Sequence, residues 1–114
     1  MELKLTPRFL QNGQRFFGPG VAELLERVRE HRSLRAAAAS MEMAYSKAWR
    51  IIHEAEEGFG FRLLDSTIGG RHGGGASLTP EAEQLLADYR RFEADILLTA
   101  KPAFRKSSPN RSRN

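Results

Sequence analysis

Three features of this sequence predict a mainly helical α+β fold: a winged helix-turn-helix with an N-terminal β-hairpin and a long C-terminal dimerisation helix. An Asn-Gly pair sits between two apolar runs near the start. Two helix-forming segments flank a tight turn around residues 42–43. A glycine-rich loop then joins two short strand-like runs, just ahead of a long amphipathic segment. A short helix, a turn, a second helix and a two-stranded flap, in that order, describe this fold.

The elements follow in sequence. In "LKLTPRFLQNGQRFF" the pair Asn12-Gly13 is a strong hairpin signal, because both central residues of a type I′ turn need positive φ. Pro7 puts the first strand at an edge or interrupts it, and "GPG" at 18–20 ends the second. In "VAELLERVREHR" the residues Val21, Leu24, Leu25 and Val28 recur at i, i+3, i+4 and i+7, the spacing of an amphipathic helix. Ser33 is placed to N-cap a short helix over "LRAAAASM", whose alanines allow close helix approach. A third helix covers "AYSKAWRIIHEAEE", with Ala48, Ile51, Ile52 and Ala55 inward, Trp49 beside them, and Gly58 and Gly60 as stops. "FRLLDSTI" and "ASL" read as two strands around the glycine-rich loop. Thr79 and Pro80 are good N-cap and first-turn residues for a last helix reaching about Ala100.

Length and composition set limits. A chain of 114 residues fits one domain that folds without staples. The absence of cysteine excludes disulfide and thiolate-metal frameworks. No stretch approaches a membrane span and no signal-peptide core opens the chain, so a cytoplasmic protein with no membrane partner is expected. The net charge is +4, but five cations and no acid fall in 101–114; taking those five from the chain's 18 leaves 13 basic against 14 acidic residues elsewhere. The folded part is thus near neutral, and any case for DNA must rest on where its cations sit. The expected organisation is a winged helix-turn-helix over 1–100, with 79–100 as linker and dimerisation helix, and a basic disordered tail over 101–114.

The helix-turn-helix segment is "SLRAAAASMEMAYSKAWRII". Its second helix opens with Tyr45, Ser46, Lys47 and Arg50, the residues that would face a major groove. An arginine there reads guanine bidentately, and lysine or serine holds phosphate. The bland alternative is a three-helix core with a solvated polar face. The loop "GGRHGGGASLTP" offers a different choice. Gly70, Gly75 and Ser77 fit part of a phosphate-cradle pattern, but Ala76 stands where its lysine must be, and the helix starts late. A wing tip is the better functional reading, with Arg71 and then His72 reaching phosphates or the minor groove, against a plain solvent loop. His31, His53 and His72 have no metal-ligand spacing, and no catalytic constellation is present, so neither enzyme, metal nor cofactor is expected. Along the last helix Leu85, Tyr89, Phe92 and Ile96 fall on a 4-3-4 seam suited to a dimer interface.

The pieces "FFGPGVAELLERV", "SLRAAAASMEMAYSKAWRII", "GGRHGGGASLT" and "LTPEAEQLLADYRRFEADI" together resemble the N-terminal DNA-binding domain of ModE-type molybdenum-dependent transcriptional regulators, relatives of the LysR-type winged helix proteins. The resemblance covers about residues 1–98. It implies a homodimer on palindromic operator DNA, with Tyr45, Ser46, Lys47 and Arg50 on the recognition helix and Arg71 and His72 on the wing. It also implies a packing role for Trp49. Two departures stand out: Glu42 where the family commonly has a turn glycine, and Ala44 where it commonly has a capping serine. Full-length members continue into molybdate-binding domains, so no molybdate site is expected on this chain. A protein-interaction module on the same fold, with weak or no DNA binding, is the alternative.

Overall fold

The computed structural model describes residues 2–67 and 75–107. The chain opens with an antiparallel hairpin, β1 (Phe9–Gln11) and β2 (Gln14–Phe17). Asn12 and Gly13 both have positive φ, 53° and 79°, as the type I′ reading requires. Three helices follow: α1 (Pro19–His31), α2 (Leu34–Ser40) and α3 (Tyr45–Phe59). A second antiparallel pair, β3 (Leu64–Thr67) and β4 (Gly75–Leu78), forms the base of the wing, with Leu64 opposite Leu78. The last helix, α4, runs Pro80–Ser107.

Local chemistry explains these boundaries. Pro19 opens α1 at the position where its missing N–H costs nothing. The Ser33 side chain accepts from the Ala36 N–H at 3.0 Å and caps α2, as its sequence position suggested. Gly60, with φ 81°, ends α3 in the left-handed region. Gly58 lies inside the helix rather than ending it; a Cβ there would sit 2.1 Å from a Phe16 ring carbon, so glycine is what lets β2 pack on α3. Thr79 caps α4 by accepting from the Ala82 N–H at 3.0 Å.

The core is a single cluster under the helix-turn-helix. Leu24, Leu25 and Val28 of α1 meet Ala37 and Ala38 of α2 and Ala48, Ile52 and Ala55 of α3, all buried. Val21 and Ile51, read as inward-facing, are only half-buried at its edge. The hairpin adds an aromatic corner. Phe17 meets Phe59 and Tyr89 edge-on at 5.2 and 5.1 Å between ring centroids.

Only the first turns of α4 belong to this body: Ala82, Leu86 and Tyr89 are buried. Tyr89, placed on the dimer seam by its spacing, is a core residue instead. It is 2% exposed, and its hydroxyl donates to the Pro7 carbonyl at 2.6 Å. Burial, with Glu93 nearby, pushes its phenol above the ordinary value. Ion pairs fix α4 on α1. Arg29 grips Glu83 with its Nε and Nη2, and Arg90 bridges Glu26 at 2.6 Å and Glu93 at 2.8 Å. Hydrogen bonds donated to these carboxylates hold both guanidiniums more firmly protonated than usual. The helix then continues beyond Ala100, through Pro102, where the sequence suggested it stops. Residues 108–114 of the expected tail lie outside the described residues. Among the described residues no helix is long and apolar enough to cross a membrane.

Candidate nucleic-acid interface

The turn between α2 and α3 is built by backbone bonds. The Ala38 carbonyl accepts from the N–H groups of Met41, at 3.0 Å, and Met43, at 2.9 Å. Arg27 of α1 fastens the end of α2 by donating to the Ser40 carbonyl and hydroxyl at 2.9 and 3.0 Å. Within the turn Glu42 takes φ 54°, the left-handed conformation that a glycine would adopt without strain. Ala44 takes the N-cap place of α3 with no side-chain hydrogen bond, so that cap is missing. Both departures noted in the sequence are therefore real features of the backbone.

Helix α3 buries Ala48, Ile52 and Ala55 and turns its opposite side outward. Ser46 and Arg50, one turn apart, form the outermost ridge; both are exposed. A loose contact of 3.9 Å links Arg50 to Glu54, and both side chains are more than half exposed, so the pair holds Arg50 only weakly. Tyr45 and Lys47 lie on either side of this ridge, exposed. The four expected recognition residues thus occupy one exposed face at the start of α3.

The flank toward the wing is an open groove of about 700 Å³, bounded by α2, α3 and the β3–β4 pair. Two features there were not read from the sequence. The Arg35 guanidinium lies over the Tyr45 ring, 4.2 Å from its centroid, a cation–π contact across the helix-turn-helix. Trp49, given a packing role by resemblance, is instead 48% exposed in this groove and stacks on His53 at 3.6 Å. His53 Nδ1 lies 2.9 Å from the Trp49 carbonyl oxygen, which only accepts, so the bond requires the proton on Nδ1. The i, i+4 spacing of Trp49 and His53 was the available signal, since such pairs meet on a helix surface.

The wing base is held at three points. The Ala76 N–H donates to the Arg32 carbonyl at 3.0 Å, the Thr79 N–H to Leu63 at 3.0 Å, and the Thr79 hydroxyl to Arg62 at 2.7 Å. Glu56 of α3 accepts from the Leu63 N–H at 2.8 Å and sets the approach of β3. Arg71 and His72, the expected wing contacts, lie outside the described residues. Of the expected seam, Leu85 is packed against the core, while Phe92 is 44% exposed and Ile96 half-buried on the helix surface. Among the described residues no group of three or more potential ligands is placed to hold a metal ion.

Residues 21–83 match the model of the bacterial regulatory helix-turn-helix protein, lysR family. The chain belongs to this family. The lysR-family match spans α1 to the first turn of α4, which is the helix-turn-helix, the wing base and the cap between them. The chain is 35% identical over 92 residues to "Molybdenum transport protein ModE" of Herbaspirillum seropedicae, covering 81% of this chain and 31% of that protein. It is 32% identical over 78 residues to "Transcriptional regulator ModE" of Haemophilus influenzae, covering 68% of this chain and 31% of that one. It is 33% identical over 73 residues to "Molybdenum-pterin-binding protein MopB" of Rhodobacter capsulatus, covering 64% of this chain and 27% of that one. The chain thus spans about a third of these relatives. A solved structure described as the BenM_DBD/benA site 1 DNA complex shares the lysR-family fold at TM-score 0.52 and 22% identity, covering 79% of this chain and 96% of that one. Family and fold are those of a DNA-binding regulator domain.

Proposed function

We propose that this chain is the DNA-reading part of a homodimeric transcriptional regulator. The observation that carries the proposal is the exposed face of α3, where Tyr45, Ser46, Lys47 and Arg50 project from a helix-turn-helix of a DNA-binding family. In this reading α3 enters the major groove. Arg50 reads a base edge, Lys47 and Ser46 meet phosphate, and the wing carries Arg71 and His72 to the flanking backbone or minor groove. Two copies joined along α4, through Leu85, Phe92 and Ile96, would place their recognition helices about 34–36 Å apart, or a multiple, on a palindromic site. The names of the ModE and MopB relatives support a role in molybdenum metabolism for the regulator.

Footprinting on genomic DNA, followed by titration of the footprinted duplex, tests the proposal. Arg50→Ala is expected to relax discrimination at one base position by about 1–3 kcal/mol while unrelated DNA binds nearly as before. Unchanged discrimination between the footprinted and unrelated duplexes in Arg50→Ala would remove Arg50 from its reading role. The strained turn at Glu42 and the uncapped Ala44 favour the second reading, a protein-docking module that has lost DNA affinity. The absence of any salt-sensitive DNA binding by the wild-type chain would decide for it.

A further inference from the structure

The ridge Ser46–Arg50 has a groove on each side. The wing-side groove takes Tyr45, Trp49 and His53 from α3, and the other takes Lys47, Ile51 and Glu54. This second groove, of about 350 Å³, runs between α3 and the N-terminal hairpin. Phe16, Met43 and Ile51 line it and are half-buried; Arg8, Arg15 and Lys47 line it and are exposed. A helix seated in a major groove about 12 Å wide has a sugar-phosphate backbone on both sides. The wing addresses one of them.

We propose that the N-terminal hairpin is a second backbone clamp: Arg8 and Arg15, together with Lys47, take phosphates of the strand on the side of α3 opposite the wing. This rests on the DNA-binding reading above and deepens it. Charge complementarity selects the partner. Three cations line the groove against one acid, Glu54, whose carboxylate lies toward Arg50. Several arginines elsewhere have protein carboxylates of their own: Arg27 with Glu23, Arg29 with Glu83, Arg90 with Glu26, Arg91 with Asp88. Among the described residues no carboxylate lies within 4.0 Å of the cationic atoms of Arg8, Arg15 or Lys47. Arg8 makes one long hydrogen bond, 3.4 Å, to the Thr6 carbonyl.

The mounting is rigid enough for the task. Phe16 is locked over Gly58 and Phe17 is buried, so the strand carrying Arg15 is fixed on α3. The Arg8 stem lies against Gly18, where an added Cβ would be 3.0 Å from its Cγ. Cations held in place lose less side-chain entropy on binding than free ones. The hairpin also lies outside residues 21–83, so the lysR-family match does not account for it.

The test uses the full chain, a duplex from the footprinted site and an unrelated mixed-sequence duplex, each titrated from about 50 to about 200 mM salt. Arg8→Gln/Arg15→Gln keeps much of each stem and removes two charges. It is expected to weaken both duplexes alike and to lower the salt slope by about 1.8 for each bound copy, or about 0.9 for each lost phosphate contact. The affinity gap to wild type then narrows roughly 12-fold per bound copy across that salt range. Arg15→Gln alone should lower the slope by about 0.9 per bound copy. Arg91→Gln removes the same charge from α4 and should leave the slope unchanged. If wild type binds and the hairpin variants match it in affinity and slope, the clamp is overturned and the DNA reading stands. An equal effect from Arg91→Gln also overturns it, since net charge would then be the cause. If wild type binds neither duplex, the DNA reading itself fails.

Discussion

Glu42 carries a local conflict in the turn between α2 and α3. Its left-handed backbone costs a residue with a Cβ about 1 kcal/mol or more, and glycine removes that cost while giving some back as unfolded-state entropy. Glu42→Gly is therefore expected to stabilise the fold by about 0.5–1 kcal/mol, read as a rise of a few degrees in Tm. It also removes a carboxylate next to the start of α3, so DNA titrations should tighten. Glu42→Asn separates the two effects, since asparagine is uncharged but tolerates the left-handed region less freely than glycine. An unchanged Tm in both variants would mean the turn carries no strain. Glu42 is marked by the resemblance, because the family commonly has a glycine at that turn position. The packing role for Trp49 comes from the same resemblance, which does not consider its i+4 partner. His53 supplies that partner and keeps the ring on the surface.

Among the elements, the wing depends most on a single side chain. The Thr79 hydroxyl accepts from Ala82 to cap α4 and donates to the Arg62 carbonyl ahead of β3. One buried oxygen thus joins the end of β4, the start of β3 and the start of α4. Thr79→Ala should cost about 2 kcal/mol, half from the lost cap and half from the lost hydrogen bond, measured by urea unfolding. Thr79→Ser keeps both bonds and should recover most of that; failure to recover would point to the methyl group instead. Caps and turns such as Ser33, Thr79 and Asn12-Gly13 were legible because their chemistry is local, within three residues. The close approach of Phe16 to Gly58 was not, because it joins residues far apart in sequence, and Gly58 looked like a helix stop. The continuation of α4 past Pro102 was also hidden. Proline removes one helical hydrogen bond, and at this exposed stretch water can serve the freed carbonyl.

For the whole molecule, α4 divides into a first stretch packed on the core and a later, more exposed one. Its first turns complete the chain's own core, which is why Tyr89 disappears inward. Its later turns carry Ile96, half-buried, and Phe92 and Leu98, both exposed, the last at 73%. The 3-4 spacing was legible, but spacing does not say whether a side chain meets its own chain or another copy. Phe92→Asp/Ile96→Asp should turn the proposed dimer into a monomer in sedimentation experiments, with helical circular dichroism retained. DNA affinity for a two-half-site duplex should then fall far more than for a single half-site. A wild-type chain that sediments as a monomer at all concentrations would remove the dimer.

The Arg90 bridge to Glu26 and Glu93 has a mechanical meaning as well. From Glu93 to Ser107 the helix extends about 21 Å. A tilt of about 10° at that pivot would carry the far end by roughly 4 Å, close to the 3.4 Å rise of one base pair. In the dimer proposed above, the stiffness of this arginine fork would set how far the spacing between the two copies can vary. Loosening it would not change which bases are read, but would let the proposed dimer accept half-site spacers one base pair too long or too short.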